Sequence, residues 1–151
     1  MRKLLFKTVN PGAAEEKITA LENRFHFQMP QDLKEFYRKQ NGADFYSGAH
    51  LDPEGCELRN FHPIGQEYRE QILTIDQLLE WQEMDGFIPM YYVPFCSDEA
   101  DDFYYVRVDK EGYGEIHYIV DFPDNPVFDG VGLIANSFTE FLEKIHFPAE
   151  N

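Results

Sequence analysis

The spacing of the apolar residues changes twice along this chain, and that order of patterns constrains the fold more than any other feature. Ile18, Leu21 and Phe25 recur at intervals of three and four, the spacing of one face of an amphipathic helix. Between residues 90 and 120 strand patterns take over, and residues 103–108 and 116–120 alternate between two faces as strands that bury one face do. Residues 137–145 return to helical spacing. Helices, then strands, then a helix predict a segregated α+β fold.

Turn-forming residues set the expected limits of the N-terminal helices. Asn10, followed by Pro and Gly, is typical of a helix start, because Asn caps free N–H groups and Pro suits the first turn. Pro30 opens a second helix, which Asn41 and Gly42 end because both tolerate the left-handed conformation. Glu22 is expected on the solvent side of the first helix.

The middle of the chain is predicted to hold a strand, a short helix and a second strand. Residues 58–64 fit the first strand, and Thr74 begins a capping box for a helix that Gly86 ends. Residues 90–96 fit the second strand, with Pro94 inside it. Because proline has no N–H to donate to a neighbouring strand, we expect an edge strand or a bulge.

Two alternating segments and a helix complete the pattern. Residues 103–108 and 116–120 each alternate between two faces, and the glycine-containing loop 109–114 between them predicts a hairpin. Ser137 begins a capping box, and apolar residues at helical spacing extend the predicted last helix to Ile145.

The length of 151 residues predicts one domain, 1–151. A chain of this size buries about 68–70% of its unfolded surface and folds without a disulfide or metal. Cys56 and Cys96 lie far apart with no CxxC motif, so we expect buried thiols, with a disulfide between them left open. The N-terminal apolar run is too short for a signal peptide, and no stretch is long enough for a membrane helix. A cytoplasmic protein is expected.

The chain is strongly acidic, and its charge is unevenly distributed. Thirteen basic residues face 28 acidic ones, giving a net charge of −15. Residues 1–42 hold eight basic and five acidic residues (+3), whereas residues 43–151 hold five basic and 23 acidic ones (−18). Nucleic-acid phosphates and anionic lipids repel such a chain, which excludes nucleic acid and membranes as partners. The asymmetry favours an acidic face for a basic protein partner, with solubility as the alternative.

Motifs of common enzymes are absent from the sequence. It contains no GxSxG, GxxxxGK[ST], HExxH or GxGxxG. There are three serines, and no two of the five histidines lie three or four residues apart, so no helical metal pair exists. We therefore predict that the protein is not an enzyme, that its histidines have structural or surface roles, and that it needs no cofactor.

The densest charge lies at residues 98–102, where four of five residues are carboxylates. Three interpretations stay open: a solvated loop, a contact surface for a basic partner, and a calcium or magnesium site, since hard cations prefer oxygen ligands. The EF-hand spacing is absent, which disfavours the metal. A second acidic segment, residues 52–57, carries three carboxylates in a loop with Gly and Pro and is interpreted in the same way.

Tyrosines are candidate anchors for a partner. Exposed ion pairs contribute about 0–1 kcal/mol each, whereas truncation of an interface tyrosine can cost about 2 kcal/mol or more. About half of the tyrosines are expected to pack in the sheet instead, since each strand buries one face. The predicted partner-binding residues are Asp98, Glu99, Asp101, Asp102, Glu54, Glu57, Tyr91, Tyr92, Tyr104 and Tyr113.

A set of motifs spans residues 14–147. They are Ile18-x-x-Leu21-Glu22-x-x-Phe25, Met29-Pro30-x-Asp32-Leu33-Lys34-x-Phe36-Tyr37, Asn41-Gly42, Ile88-Pro89, Val93-Pro94-Phe95, Asp101-Asp102-x-Tyr104 and Ser137-Phe138-x-x-Phe141-Leu142. Together they resemble the SUKH superfamily, which includes fungal Smi/Knr cell-wall regulators and many bacterial immunity proteins. Met29 and Ala43 depart mildly from the family pattern, which usually has Leu and Gly there. Most of these residues are helix boundaries or core positions, so they identify a scaffold and not a target.

The resemblance implies a single SUKH-like α+β domain with N-terminal helices, a central, mainly antiparallel twisted sheet, and a C-terminal helix packed on it. Bacterial members are similar to antidotes that bind and neutralise a cognate toxin, often a nuclease, and the narrower similarity is to YobK-like antidotes of LXG toxins. An immunity protein with a toxin partner is therefore expected. The alternatives are a Smi/Knr-type regulatory scaffold that binds an endogenous protein and, less favoured, a metal-dependent hydrolase built on residues 98–102.

Overall fold

A computed structural model describes residues 6–51, 57–65, 73–120 and 132–148. This part of the chain has the α+β fold that the sequence predicts. Two helices precede most of the strands, a third helix interrupts the strands, a fourth follows them, and a short strand lies at each end. The helices are α1 (Glu15–Phe25), α2 (Gln31–Lys39), α3 (Ile75–Asp85) and α4 (Phe138–Glu143). The strands are β1 (Phe6–Val9), β2 (Ala43–Phe45), β3 (His50–Leu51), β4 (Leu58–Phe61), β5 (Tyr92–Asp98), β6 (Phe103–Arg107), β7 (Ile116–Ile119), β8 (Leu133–Ala135) and β9 (Ile145–His146).

Seven of the described strands form one sheet in the order β1-β2-β4-β5-β6-β7-β8. All neighbouring pairs are antiparallel. The strand that contains Pro94 is β5, and it lies in the middle of this order, so the edge-strand alternative is wrong. The bulge alternative is confirmed: Pro94 lies opposite Tyr105 and Cys96 lies opposite Tyr104, which leaves Phe95 as the extra residue. Strands β3 and β9 pair separately as a two-stranded sheet.

The first helix begins later than the turn residues predict. Helix α1 starts at Glu15, after an extended Ala14, and not at Asn10. The side-chain amide of Asn10 instead donates a hydrogen bond of 2.8 Å to the carbonyl of Asn41, and so joins the N-terminal segment to the chain beyond α2. The Asn10 side chain therefore makes a tertiary contact, and does not cap a helix as predicted. The second helix starts directly after Pro30, as predicted.

Glu22 is a correction to the predicted solvent face of α1. Its side chain is buried, with 6% of the residue exposed. Oε2 of Glu22 accepts a hydrogen bond of 2.8 Å from the Met29 N–H and lies 3.1 Å from Nζ of Lys34 in α2. A carboxylate can be buried here because a backbone donor and a cation both compensate its lost hydration.

Aromatic rings join α2 and α4 to one face of the sheet. The Phe36 ring lies 4.9 Å from Phe61 and 5.1 Å from Phe138, measured between ring centroids. The Phe141 ring lies 5.3 Å from Tyr104 of β6. The C-terminal helix therefore packs on the sheet, as expected. It ends at Glu143 and not at Ile145, because Ile145 pairs with Leu51 of β3.

The opposite face of the sheet carries a second, smaller cluster. Tyr92, Tyr105 and Ile119 pack there with Ile88. Helix α3 lies against β5, and the Gln82 side-chain amide donates a hydrogen bond of 2.8 Å to the carbonyl of Tyr92. The predicted limits of α3 are confirmed: Oγ1 of Thr74 accepts from the Gln77 N–H, and Gly86 ends the helix in the left-handed conformation.

The structure bears on the predictions for the cysteines and for membrane helices. Cys96 is a free and buried thiol, and burial raises its pKa. Cys56 lies outside the described residues. Among the helices that the structure describes, none is long and apolar enough to cross a membrane.

Candidate partner-binding surface

The acidic segment at 98–102 forms the turn between β5 and β6, and Asp98 holds that turn in shape. Asp98 is fully buried. Its Oδ1 accepts hydrogen bonds from the N–H groups of Ala100 (3.0 Å) and Asp102 (3.1 Å), and its Oδ2 accepts one from the Tyr118 hydroxyl at 2.7 Å. Asp98 was predicted to contact a partner. The structure places it inside the protein instead, because Oδ1 is bonded within the turn and Oδ2 is bonded to Tyr118 of β7.

The neighbouring carboxylates lie on the surface. The side chains of Glu99 and Asp101 are 57% and 80% exposed. Arg59 of β4 lies between them, with Nη1 2.7 Å from Oδ1 of Asp101 and Nε 3.7 Å from Oε2 of Glu99. The exposed Glu57 adjoins them, because its carbonyl accepts a hydrogen bond from the Glu99 N–H at 2.9 Å. Partly exposed Asp102 completes the group and accepts a bond from the Tyr118 hydroxyl at 3.2 Å.

We call Glu57, Glu99, Asp101 and Asp102 the acidic turn. Arg59 pairs with two of these four carboxylates, Glu99 and Asp101, and the four carboxylates with Arg59 carry a formal charge of −3. Glu54, the remaining acidic candidate, lies outside the described residues.

Of the four candidate tyrosines, two are buried and two are exposed. This division was expected, because each strand buries one of its faces. Tyr92 and Tyr104 are 2% and 3% exposed, and both pack in the two cores described above. Burial therefore removes these two predicted anchors from the surface that a partner can reach. Tyr91 and Tyr113 are 37% and 49% exposed and remain candidates.

The exposed tyrosines lie away from the acidic turn. Tyr91 immediately precedes β5, whose other end leads into the turn. The seven residues of β5 separate the two ends by about 20 Å at roughly 3.3 Å per residue. The Arg107 guanidinium lies 4.9 Å from the Tyr91 ring and 2.6 Å from Asp109, and this pairing lowers the pKa of Asp109. The two exposed tyrosines therefore lie apart from the acidic turn, although the sequence prediction placed all of these residues in one partner-binding set.

An open groove of about 660 Å³ lies beside Tyr113. Residues at the end of α1, among them Glu22 and His26, line one side of it, and Asp109 and Lys110 of the β6–β7 loop line the other. The Tyr113 hydroxyl donates a hydrogen bond of 2.9 Å to the Gln28 carbonyl and so joins the two sides. Sequence reasoning had no signal for this groove, because its two sides are more than 80 residues apart in the chain.

A metal site needs several ligand side chains that converge on one point. Within ranges 6–51, 57–65, 73–120 and 132–148, no group of three or more His, Cys, Asp or Glu side chains is arranged to hold a metal ion. The carboxylate of Asp98, which was central to the calcium or magnesium interpretation, already accepts three hydrogen bonds.

Comparison with known families decides what scaffold presents these surfaces. The model of the SMI1/KNR4 family (SUKH-1) matches residues 12–144, which include every element from α1 to α4. The chain belongs to the SMI1/KNR4 family (SUKH-1). No curated protein matches it. The narrower similarity to YobK-like antidotes stays a prediction.

The SUKH-1 motif residues have structural roles in this protein. Phe36 and Phe141 are core rings. Asn41 joins the end of α2 to the chain after β4, with its Oδ1 accepting from the Ile64 N–H at 2.7 Å and its Nδ2 donating to the Ile64 carbonyl at 2.9 Å. Most motif residues therefore specify the SUKH-1 scaffold. Asp101 and Asp102 belong both to a motif and to the acidic turn, which lies on the surface of that scaffold.

Proposed function

We propose that this SUKH-1 protein is an immunity protein that binds a cognate toxin and neutralises it, and that the toxin acts as a nuclease. Family membership supports the general class, since SUKH proteins are immunity proteins or belong to the Smi1/Knr4 type. The observation that carries the finer proposal is the acidic turn, with its exposed Glu57, Glu99 and Asp101 on a chain of net charge −15. A nuclease needs a basic surface for its phosphate substrate, and such a surface attracts this one.

The buried Asp98 explains how the acidic turn can act as a preformed contact. Its three hydrogen bonds hold the turn, so Glu99 and Asp101 need little further ordering when a partner arrives. Long-range attraction between the acidic protein and a basic toxin raises the association rate by roughly 10 to 10³. Bound, the carboxylates occupy the positions that substrate phosphates would take, and the toxin is blocked without any chemical step.

The test is survival in a co-expression experiment. The genes on either side of the one for this protein are induced in turn, with and without this protein, and viable cells are counted, so that a toxic neighbour is identified by loss of viability. Rescue, together with co-elution of the two proteins, supports the proposal. Failure of rescue when both proteins are well expressed contradicts it.

A regulatory scaffold is the second candidate, because the matching family is named for SMI1/KNR4 proteins. In that case the acidic turn contacts an endogenous basic protein, and the partner is not toxic when expressed alone. The same co-expression experiment separates the two candidates, since a non-toxic partner that still co-elutes favours the scaffold. We do not propose the metal-dependent hydrolase, because the structure gives Asp98 a role in holding the turn.

A further inference from the structure

Helix α3 carries apolar side chains that the core does not use. Its buried residues include Leu78, Leu79 and Gln82. Trp81 and Met84 are nevertheless 48% and 80% exposed, and Phe87, just beyond the helix, is 46% exposed. Trp81 and Met84 lie three residues apart on one face of the helix, and Phe87 follows three residues further on, after the helix has ended. We call these three residues the apolar line. Large apolar groups exposed together indicate a surface that another molecule covers.

A small pocket opens beside this line. Trp81, Phe87 and Leu78 line it on the side of α3, and Pro94 and Phe103 line it on the side of the sheet. Its volume is about 120 Å³. An apolar cavity of about 150 Å³ accommodates benzene, so this pocket has room for one apolar side chain of a partner.

The surroundings of the pocket are acidic. Residues Ile75–Asp85 contain four carboxylates and no lysine or arginine. Glu80 lies 3.2 Å from Arg24. Asp85 lines the pocket and accepts a hydrogen bond of 3.0 Å from the Phe87 N–H. Glu83 is an exposed neighbour of Met84. The apolar line is therefore bordered by negative charge, which a basic partner complements.

We propose that Trp81, Met84, Phe87 and this pocket form a docking surface for a basic segment of a protein partner. One apolar side chain of the segment enters the pocket beside Trp81, and flanking lysine or arginine side chains lie opposite Glu83 and Asp85. A second copy of this chain is a poor occupant, because each copy has a net charge of −15 and the surface itself is acidic. The proposal goes beyond the toxin assignment and does not depend on it.

The chain provides its own probe for a test. Trp81 is its single tryptophan, so intrinsic fluorescence reports directly on this surface. A phage library of random dodecapeptides is selected against the full-length protein, and the enriched sequences are synthesised and titrated while Trp81 emission is recorded. We expect enriched peptides with one large apolar residue flanked by Lys or Arg, a blue shift of Trp81 emission on binding, and weaker binding at high ionic strength.

Matched variants decide whether the peptides use this surface. Met84→Ser and Phe87→Ser together remove exposed apolar groups without changing charge, and the expected loss of affinity is about tenfold or more. Leu133→Ser removes an exposed apolar group from β8 and is expected to leave affinity unchanged. Glu83→Gln is expected to reduce the salt dependence. Circular dichroism confirms that each variant is folded.

Several results would overturn the proposal. The selection could enrich no peptide, or it could enrich peptides without basic residues. The wild type and the Met84→Ser/Phe87→Ser variant could bind the peptides with equal affinity. Sedimentation could also show a dimer that this variant abolishes. The last result would make a second copy the occupant. Because the selection uses no toxin, its failure leaves the co-expression result unaffected, and failure of rescue leaves this surface unaffected.

Discussion

The hydroxyl of Tyr118 in β7 donates a hydrogen bond of 2.7 Å to Oδ2 of Asp98, a fully buried carboxylate at the end of β5. Strand β6 lies between the two strands in the sheet, so the bond crosses a neighbouring strand to reach the β5–β6 turn. Burial and the Asp98 carboxylate together raise the pKa of Tyr118, because both disfavour the phenolate. The shape of the acidic turn therefore depends on a contact with β7.

Removal of the Tyr118 hydroxyl tests this dependence. We expect Tyr118→Phe to lower the free energy of unfolding by about 1–3 kcal/mol, because a buried carboxylate loses one of its donors. Asp98→Ala is expected to cost more, since it leaves the Ala100 and Asp102 N–H groups without this acceptor as well. Urea unfolding measures both. Tyr46→Phe, at an exposed tyrosine, is the control, and equal stability of the two Tyr→Phe variants would contradict the role of the bond.

Neutralising the exposed part of the acidic turn tests its role in association. Glu99→Gln with Asp101→Asn is expected to slow association with the toxin about tenfold and to flatten its salt dependence, because steering depends on net charge. Asp98 is left unchanged, since its substitution would disturb the turn. Glu16→Gln with Glu35→Gln makes the same charge change on exposed positions of α1 and α2. Stopped-flow kinetics at low and high ionic strength compare the pairs, and equal rates would remove the acidic turn from the contact.

His62 predicts a loss of stability on the acid side. The residue is 5% exposed, its Nδ1 lies 2.8 Å from the Leu73 carbonyl, and burial lowers its pKa from 6.5 to about 4. Because the unfolded chain takes up a proton at higher pH than the folded one, His62 favours folding above pH 6.5. That contribution, about 3 kcal/mol, is lost progressively as the pH falls from 6.5 to about 4.

Urea unfolding between these pH values measures the effect. His62→Asn is expected to flatten the fall in stability, whatever it does to stability at neutral pH. His26→Asn is the matched control, because His26 is exposed and has a left-handed φ of 60° that asparagine tolerates. Parallel pH profiles for wild type and His62→Asn would contradict the assignment.

Gly12 is predicted to tolerate no side chain. The chain there passes so close to the end of α2 that a Cβ on Gly12 would collide with the backbone carbonyl of Arg38. The Ala13 N–H donates to the Tyr37 carbonyl at 2.8 Å on the same path, so the segment cannot move away without losing that bond. We expect Gly12→Ala to cost about 3 kcal/mol or more.

Gly86→Ala provides the comparison for Gly12. Its Cβ would meet nothing within 4 Å, and only the left-handed φ of 69° opposes it, at a cost of about 1 kcal/mol. Thermal unfolding is expected to show the larger decrease in Tm for Gly12→Ala. A smaller decrease than for Gly86→Ala would contradict the close approach.

Elements with strong local signals could be predicted from the sequence. Thr74 and Ser137 cap α3 and α4 with the bonds expected of them, and β6 and β7 form the predicted hairpin. Strands β1, β2, β3, β8 and β9 were not predicted. They have two to four residues each, which is too few for an alternating pattern, and they form because partners distant in the chain pair with them.

In the candidate site, too, some features could be predicted from the sequence and others depended on tertiary contacts. Exposed Glu99 and Asp101 could be proposed from charge density alone. The burial of Asp98 could not, because its partner Tyr118 is 20 residues away and no local pattern connects them. The exposure of Trp81 was also missed, since apolar residues near the end of a helix are expected on its buried side.

The sequence by itself determined the α+β order, the helix caps, the acidic charge and the family, because these depend on local patterns and composition. Only the tertiary structure decided which acidic and aromatic side chains reach the surface. Burying a carboxylate such as Asp98 or Glu22 requires partners that compensate its lost hydration. Backbone N–H groups nearby supply some of them, but Tyr118 and Lys34, which complete each set, lie further along the chain. Long-range packing therefore decides whether each carboxylate holds the fold together or faces a partner.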